Sequence, residues 1–262
     1  MPSTAQSDQP LRRNRLKAAV ALTLTFAAGF VDITGALTIY DIFAAHMTGT
    51  TVRLGQHLLH RNLHDAGLPA VVLLAFVVGS LIGRVAVEAA SRRRFRNVAS
   101  LTVFLEACLI FAVIWLAPAT LAQVYKDSGT LLMAMLALAM GLQTATLTRI
   151  GPLTVHTTFV TGMINKFCQL VSHWLFRSYD LVFASGSKGA ELRESRKLIG
   201  RQATFIFSIW LLYFAGACCG TWLSRLWRFH AFYVPFCILL VVIAVDLTHP
   251  LSIEEEREQS DR

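Results

Sequence analysis

The chain has 262 residues, of which 55 % belong to the set AVILMFWYC and only 15 % are charged, with a net charge of +8. Soluble domains carry about 25 % charged residues, so this composition argues against a water-soluble globule and against a nucleic-acid-binding reading of the positive charge, which would need a soluble basic domain. The charge-poor runs form one continuous series, and the expected fold class is an all-α polytopic membrane protein.

In chain order, residues 1–17 read as a polar basic tail, disordered over 1–10 and carrying Arg12, Arg13, Arg15 and Lys17 at its end. The apolar run that follows continues to Ile39, too long for a cleaved signal sequence, and is taken as the first span, 18–39. It carries Asp32, and an intramembrane carboxylate is a functional candidate by default. The segment 42–62, "AAHMTGTTVRLGQHLLH" in its core, is polar-striped. The second span, 68–90, holds Gly79 and Gly83 and is followed by Arg92, Arg93, Arg94 and Arg96. The third, 98–117, contains a second buried-acid candidate, Glu106; the fourth, 130–149, contains Gln143 and Thr144. A second polar-striped segment, 151–173, leads to a basic loop at 177–200, and spans at 202–224 and 231–248 complete a predicted set of six before an acidic tail, 249–262. The five cysteines form no CxxC pair and are expected to be buried free thiols.

Lys and Arg mark cytoplasmic loops. Placing all three basic regions in the cytoplasm allows two crossings between the tail and Arg92, so neither 42–62 nor 151–173 crosses. The expected location is a cell (plasma or inner) membrane with both termini cytoplasmic.

The two polar-striped segments align. Thr48 matches Thr161 at an offset of 113, and the same offset pairs Gly49 with Gly162, Arg53 with Lys166, Gln56 with Gln169 and His60 with His173. Gly29 meets Gly141 at 112, and "GSLIG" in the second span has a counterpart, "GACCG" with Gly216 and Gly220, at 137. Each half, 18–117 and 118–248, thus reads as span, polar-striped segment, span, span. With three crossings per half the copies enter from opposite faces, the inverted repeat common among secondary transporters.

"AGFVDITGAL" with "AAHMTGTTVRLG", then "GLQTATL" with "TTFVTG", resembles the YoaK-like family of membrane proteins over about 18–248. The resemblance implies several spans and a bacterial or similar cell membrane, and it brings no substrate. Family members often carry Asn after the first Thr-Gly; here Thr50 stands there.

On a helix Arg53, Gln56 and His60 share a face, and Lys166, Gln169 and His173 repeat it. One reading makes each segment a re-entrant half-helix, capped by Thr48, Thr50 or Thr161, with its N-terminus aimed at a small polar or anionic solute near the membrane middle. The other makes each an interfacial amphipathic helix whose basic groups reach the headgroups. The substrate-binding candidates are Asp32, Thr48, Gly49, Arg53, Gln56, Gln143, Thr161, Gly162, Lys166 and Gln169. His57, His60 and His64 share a face, but no second cluster completes a metal set, and no cofactor is expected. The expected function is a solute transporter or channel between the two halves. A non-catalytic scaffold or subunit is the alternative; an embedded enzyme is disfavoured because no GxSG serine, HExxH or phosphate loop is present. The paired glycines suit close helix contact within the bundle or in a homo-oligomer, with the lipid bilayer as the other partner.

Overall fold

A computed structural model describes residues 4–92, 98–122, 126–146, 149–150, 153–154, 157–183 and 186–249. Among these, α-helices dominate: α1 (Thr4–Thr38), α2 (Met47–Leu59), α3 (Leu63–Arg92), α4 (Val98–Ala122), α5 (Lys126–Thr146), α6 (Val160–Phe183), α7 (Ser187–Trp227) and α8 (Tyr233–Thr248). A two-residue antiparallel ladder, β1 (Arg149–Ile150) with β2 (Leu153–Thr154), follows α5, and a 3-10 turn at Arg228–Phe232 joins α7 to α8. Helix is what an apolar chain without partner strands must adopt in lipid, since each amide then bonds within its own segment.

Among the described residues five helical stretches are long and apolar enough to cross a membrane: Arg15–Thr38, Leu63–Ala90, Ala99–Ala117, Gly129–Thr146 and Lys188–Thr248. The first four match predicted spans to within a few residues. The last runs for 61 residues and takes in both α7 and α8. At ~1.5 Å per residue it is far longer than a bilayer is thick. The chain turns within it at Arg228, whose φ is 48°.

α1 packs along α7 and α3 along α5; α4 lies against α5 and α8; α2 rests on α3 and α6 on α7. Glycines set the two closest seams. A Cβ on Gly29 would collide with the carbonyl oxygen of Tyr213, one on Gly216 with that of Phe26, and one on Gly220 would sit 2.9 Å from that of Phe30. In the α3–α5 seam, Gly141 meets the Phe76 carbonyl, Gly79 that of Leu138, and Gly83 that of Leu142 at 3.3 Å. Lipid supplies no hydrophobic drive between helices, so backbones held together by small residues and dispersion do that work. Leu24, Phe30, Leu132, Leu136, Ile206 and Leu239 fill the centre. Leu74, Leu81, Trp115 and Phe214 face outward, as lipid-facing side chains do.

Four expectations are corrected. The glycine faces proposed for a homo-oligomer are covered by α1 and α5, so they hold the bundle together and are not open to a second copy. The stretch 177–200 is not a loop: α6 runs to Phe183 and α7 starts at Ser187. Its charges read as loop by hydropathy, but Lys188–Glu191 and Glu194–Lys197 are spaced to support a helix. The basic N-terminal tail is helical from Thr4 onward, and the cysteines are free but exposed on helix surfaces. The acidic tail 250–262 lies outside the described residues.

Candidate functional site

Asp32 sits six residues before the end of α1 and is 1 % exposed. A carboxylate there must be satisfied or it costs at least ~2.5 kcal/mol. It accepts the backbone amide of Ala45 at 2.9 Å and the Tyr213 hydroxyl at 2.5 Å, and the His46 ring nitrogen Nδ1 lies 3.0 Å away. Ala45 comes after the end of α1, so the chain leaves that helix, turns back beside it, and is tied there before α2 begins at Met47. α2 then runs 13 residues, about 20 Å, and ends at Leu59. The Asp32 carboxylate hydrogen-bonded to the His46 ring raises its pKa above the usual imidazole value; partial burial works against this.

A similar return follows α5. The hydroxyl of Thr158 lies 2.6 Å from that of Thr144, two residues before the end of α5, and α6 starts at Val160. Thr157 and Thr158 are buried. Asp32 and Thr144 are 112 apart and Ala45 and Thr158 are 113 apart, so both ties fall on the offsets of the aligned segments. In α2 the buried residue is Thr50 and in α6 it is Met163, again 113 apart.

α1 and α5 run antiparallel: Gln143 Nε2 donates to the Leu24 carbonyl at 2.6 Å, while Gly35 abuts Leu136 and Met133 near the other end. Thr144 is therefore level with about Leu24, eight residues from Asp32. At ~1.5 Å per residue the two ties stand about 12 Å apart along the bundle axis.

The Thr-Gly pairs do not cap their helices. α2 starts at Met47 and α6 at Val160, so Thr48, Gly49, Thr161 and Gly162 lie inside first turns. His46 precedes α2 without a side-chain cap, and Thr50 Oγ1 donates back to the His46 carbonyl. That bond turns the Thr50 hydroxyl back onto the preceding turn, a local side-chain-to-backbone contact and not a cap. Gly49 meets nothing at its Cβ position, whereas Gly162 lies under the Phe159 ring.

Arg53 is exposed and donates to the Asp41 carbonyl, with the two side chains 3.6 Å apart. It lines an open cavity of about 520 Å³ with Tyr40, Asp41, His57, His64 and Thr130. Gln56 and Gln169 are exposed, and Lys166 is partly buried. The structure thus brings Asp32 to the first tie and Gln143 to the level of the second, with Arg53 on the cavity wall. It does not bring Arg53 and Lys166 together: α2 packs on α3 and α6 on α7. Sequence reasoning missed His46, Tyr213 and Thr158. A lone Tyr in the apolar fifth predicted span was the available signal for Tyr213; the amide of Ala45 carries none.

The model of a family described as "Protein of unknown function (DUF1275)" matches residues 20–245. The UPF0700 transmembrane protein YoaK of Bacillus subtilis (strain 168) is 26 % identical over 166 residues, 63 % of this chain and 69 % of YoaK. No solved structure matches the chain.

Proposed function

We propose a transport function for this integral membrane protein, which belongs to the DUF1275 family of YoaK-like proteins: a path for a small polar or anionic solute between two inverted three-span halves. The observation that carries this reading is the paired seams. Shifting Gly29, Phe26 and Phe30 by 112 gives Gly141, Leu138 and Leu142; shifting Tyr213, Gly216 and Gly220 back by 137 gives Phe76, Gly79 and Gly83. Each glycine–carbonyl contact in one seam thus has its counterpart in the other. The matched ties at Asp32–Ala45 and Thr144–Thr158 support two hairpins returning from opposite ends. Counting α7 and α8 separately supports six crossings, and the basic segments support cytoplasmic termini in a cell membrane.

In this reading the cavity beside Arg53 is the outer mouth. A cation there, half exposed and paired with Asp41, attracts an anion while remaining in water. Polar groups at the two ties line the interior, where irregular backbone is tolerated because protein surrounds it. The protein acts as a carrier or channel and not as an enzyme.

The test is a thermal-shift screen of the purified protein against small anionic and neutral metabolites, repeated with Arg53→Ala and Lys166→Ala. A stabilising compound whose shift disappears in the variants, while expression is unchanged, supports the path. Identical shifts in both variants would remove these residues from it.

A further inference from the structure

Among the described residues three carboxylates are buried: Asp32, Asp246 and Glu106. Asp32 is held by an amide, a hydroxyl and an imidazole. Asp246, on α8, accepts the amide of Ser100 at 2.8 Å and also its hydroxyl. Glu106 is 0 % exposed and neither of its oxygens has a hydrogen-bond partner.

The register of α4 against α5 puts a second orphan at about the same level. Thr146 Oγ1 donates to Thr102 Oγ1 at 2.9 Å and pins the register of the two antiparallel helices. One turn further along α4 is Glu106; one turn back along α5 is Leu142, next to Gln143. The Gln143 amide nitrogen is used on Leu24, and its oxygen is buried with no partner. By that register the two Glu106 oxygens and the Gln143 oxygen fall at about one level of the seam, and none of the three has a donor.

We infer that Glu106 is a proton-binding site: the resting protein carries a proton on this carboxyl, and that proton is the donor the seam lacks. A bare carboxylate unpartnered in an apolar interior is the costliest arrangement available, and protonation removes the cost without moving a helix. Among the described residues no ion pair reaches Glu106. On α5, the described side chains from Gly129 to Thr146 carry no charge. On α8, Asp246 is committed to Ser100, six residues away on α4, and on the 3-10 turn that also packs against α4, Arg228 and His230 are exposed. On α3, Arg84, Glu88 and Arg92 are exposed. On α1, Lys17 is seven residues from Leu24, and Asp32 lies at the other tie. What the proton does rests on the transport reading: a group that is neutral when bound and costly when bare can drive a solute step. The proton's presence does not rest on it.

Infrared spectra of the purified protein test this separately from any solute. At neutral pH the wild type is expected to show the C=O stretch of a protonated carboxyl, shifted in deuterium oxide. The band should disappear in Glu106→Gln and persist in Asp32→Asn and Asp246→Asn. Glu106→Gln should melt no lower than the wild type; should it fail to fold, Glu106→Leu, which deletes the orphan, carries the same readout. Absence of the band in the wild type, or its survival in either Glu106 variant, overturns the assignment. So does a sodium-dependent rise in melting temperature that Glu106→Gln abolishes, because the bound species would then be a metal cation.

Discussion

Asp32 accepts the backbone amide of Ala45, thirteen residues further along the chain, at 2.9 Å. Together with the His46 ring on the same carboxylate, this bond ties the returning segment to α1. Asp32→Ala would leave the Ala45 amide and the Tyr213 hydroxyl without their acceptor, each at about 1–3 kcal/mol. The expected loss is about 2–6 kcal/mol of stability in detergent, against about 1–2 kcal/mol for Tyr213→Phe, which leaves two of the three contacts in place. Equal melting temperatures for Asp32→Ala and wild type would show that the tie contributes nothing.

His46 couples that tie to pH. Its pKa in the folded protein is raised above the imidazole value of 6.5 by the hydrogen bond to Asp32. A raised folded value means the imidazolium stabilises the fold fully below about pH 6.5 and loses that contribution as pH climbs through the higher value. The melting temperature of the wild type should therefore fall relative to His46→Gln as pH rises from about 6 to about 8. Parallel curves for the two proteins would contradict the coupling.

The glycine seams make a contrast within one protein. Gly29→Ala and Gly141→Ala each force a methyl into a backbone carbonyl of the neighbouring helix. Overpacking of this kind costs about 1–3 kcal/mol. Gly55, on exposed α2, has nothing within 4 Å of its Cβ position. There the same change should be neutral or stabilise by up to about 1 kcal/mol through helix propensity. Measured unfolding of the three variants in one detergent decides the matter.

Sidedness can be read with membrane-impermeant thiol reagents after the five native cysteines are replaced. A cysteine at His60 should label from outside the cell and one at Glu191 only after permeabilisation. Labelling of both from one side would dismiss the inverted halves.

The spans were legible because bilayer thickness forces long apolar runs, and the glycine seams because only small residues let backbones touch. The repeat at Arg53 and Lys166 was legible as a pattern, but not its placement. Those side chains sit on helices that pack against different neighbours, and nothing in a one-dimensional offset says which helix a polar face meets. The ties were hidden for a different reason: Ala45 contributes only its amide, which every residue except proline possesses. The helical course of 187–200 was masked by charge, which signals water but does not break a helix.

The pairing of α1 with α7 and of α3 with α5 means that each half of the chain keeps its closest neighbours in the other half. Cutting the polypeptide between α4 and α5 would therefore not release two self-sufficient domains. Either fragment made alone would expose a glycine-notched surface with nothing to fit it and would be degraded. Produced together in one cell, the fragments should find each other and copurify, because the surfaces that unite them lie across the cut.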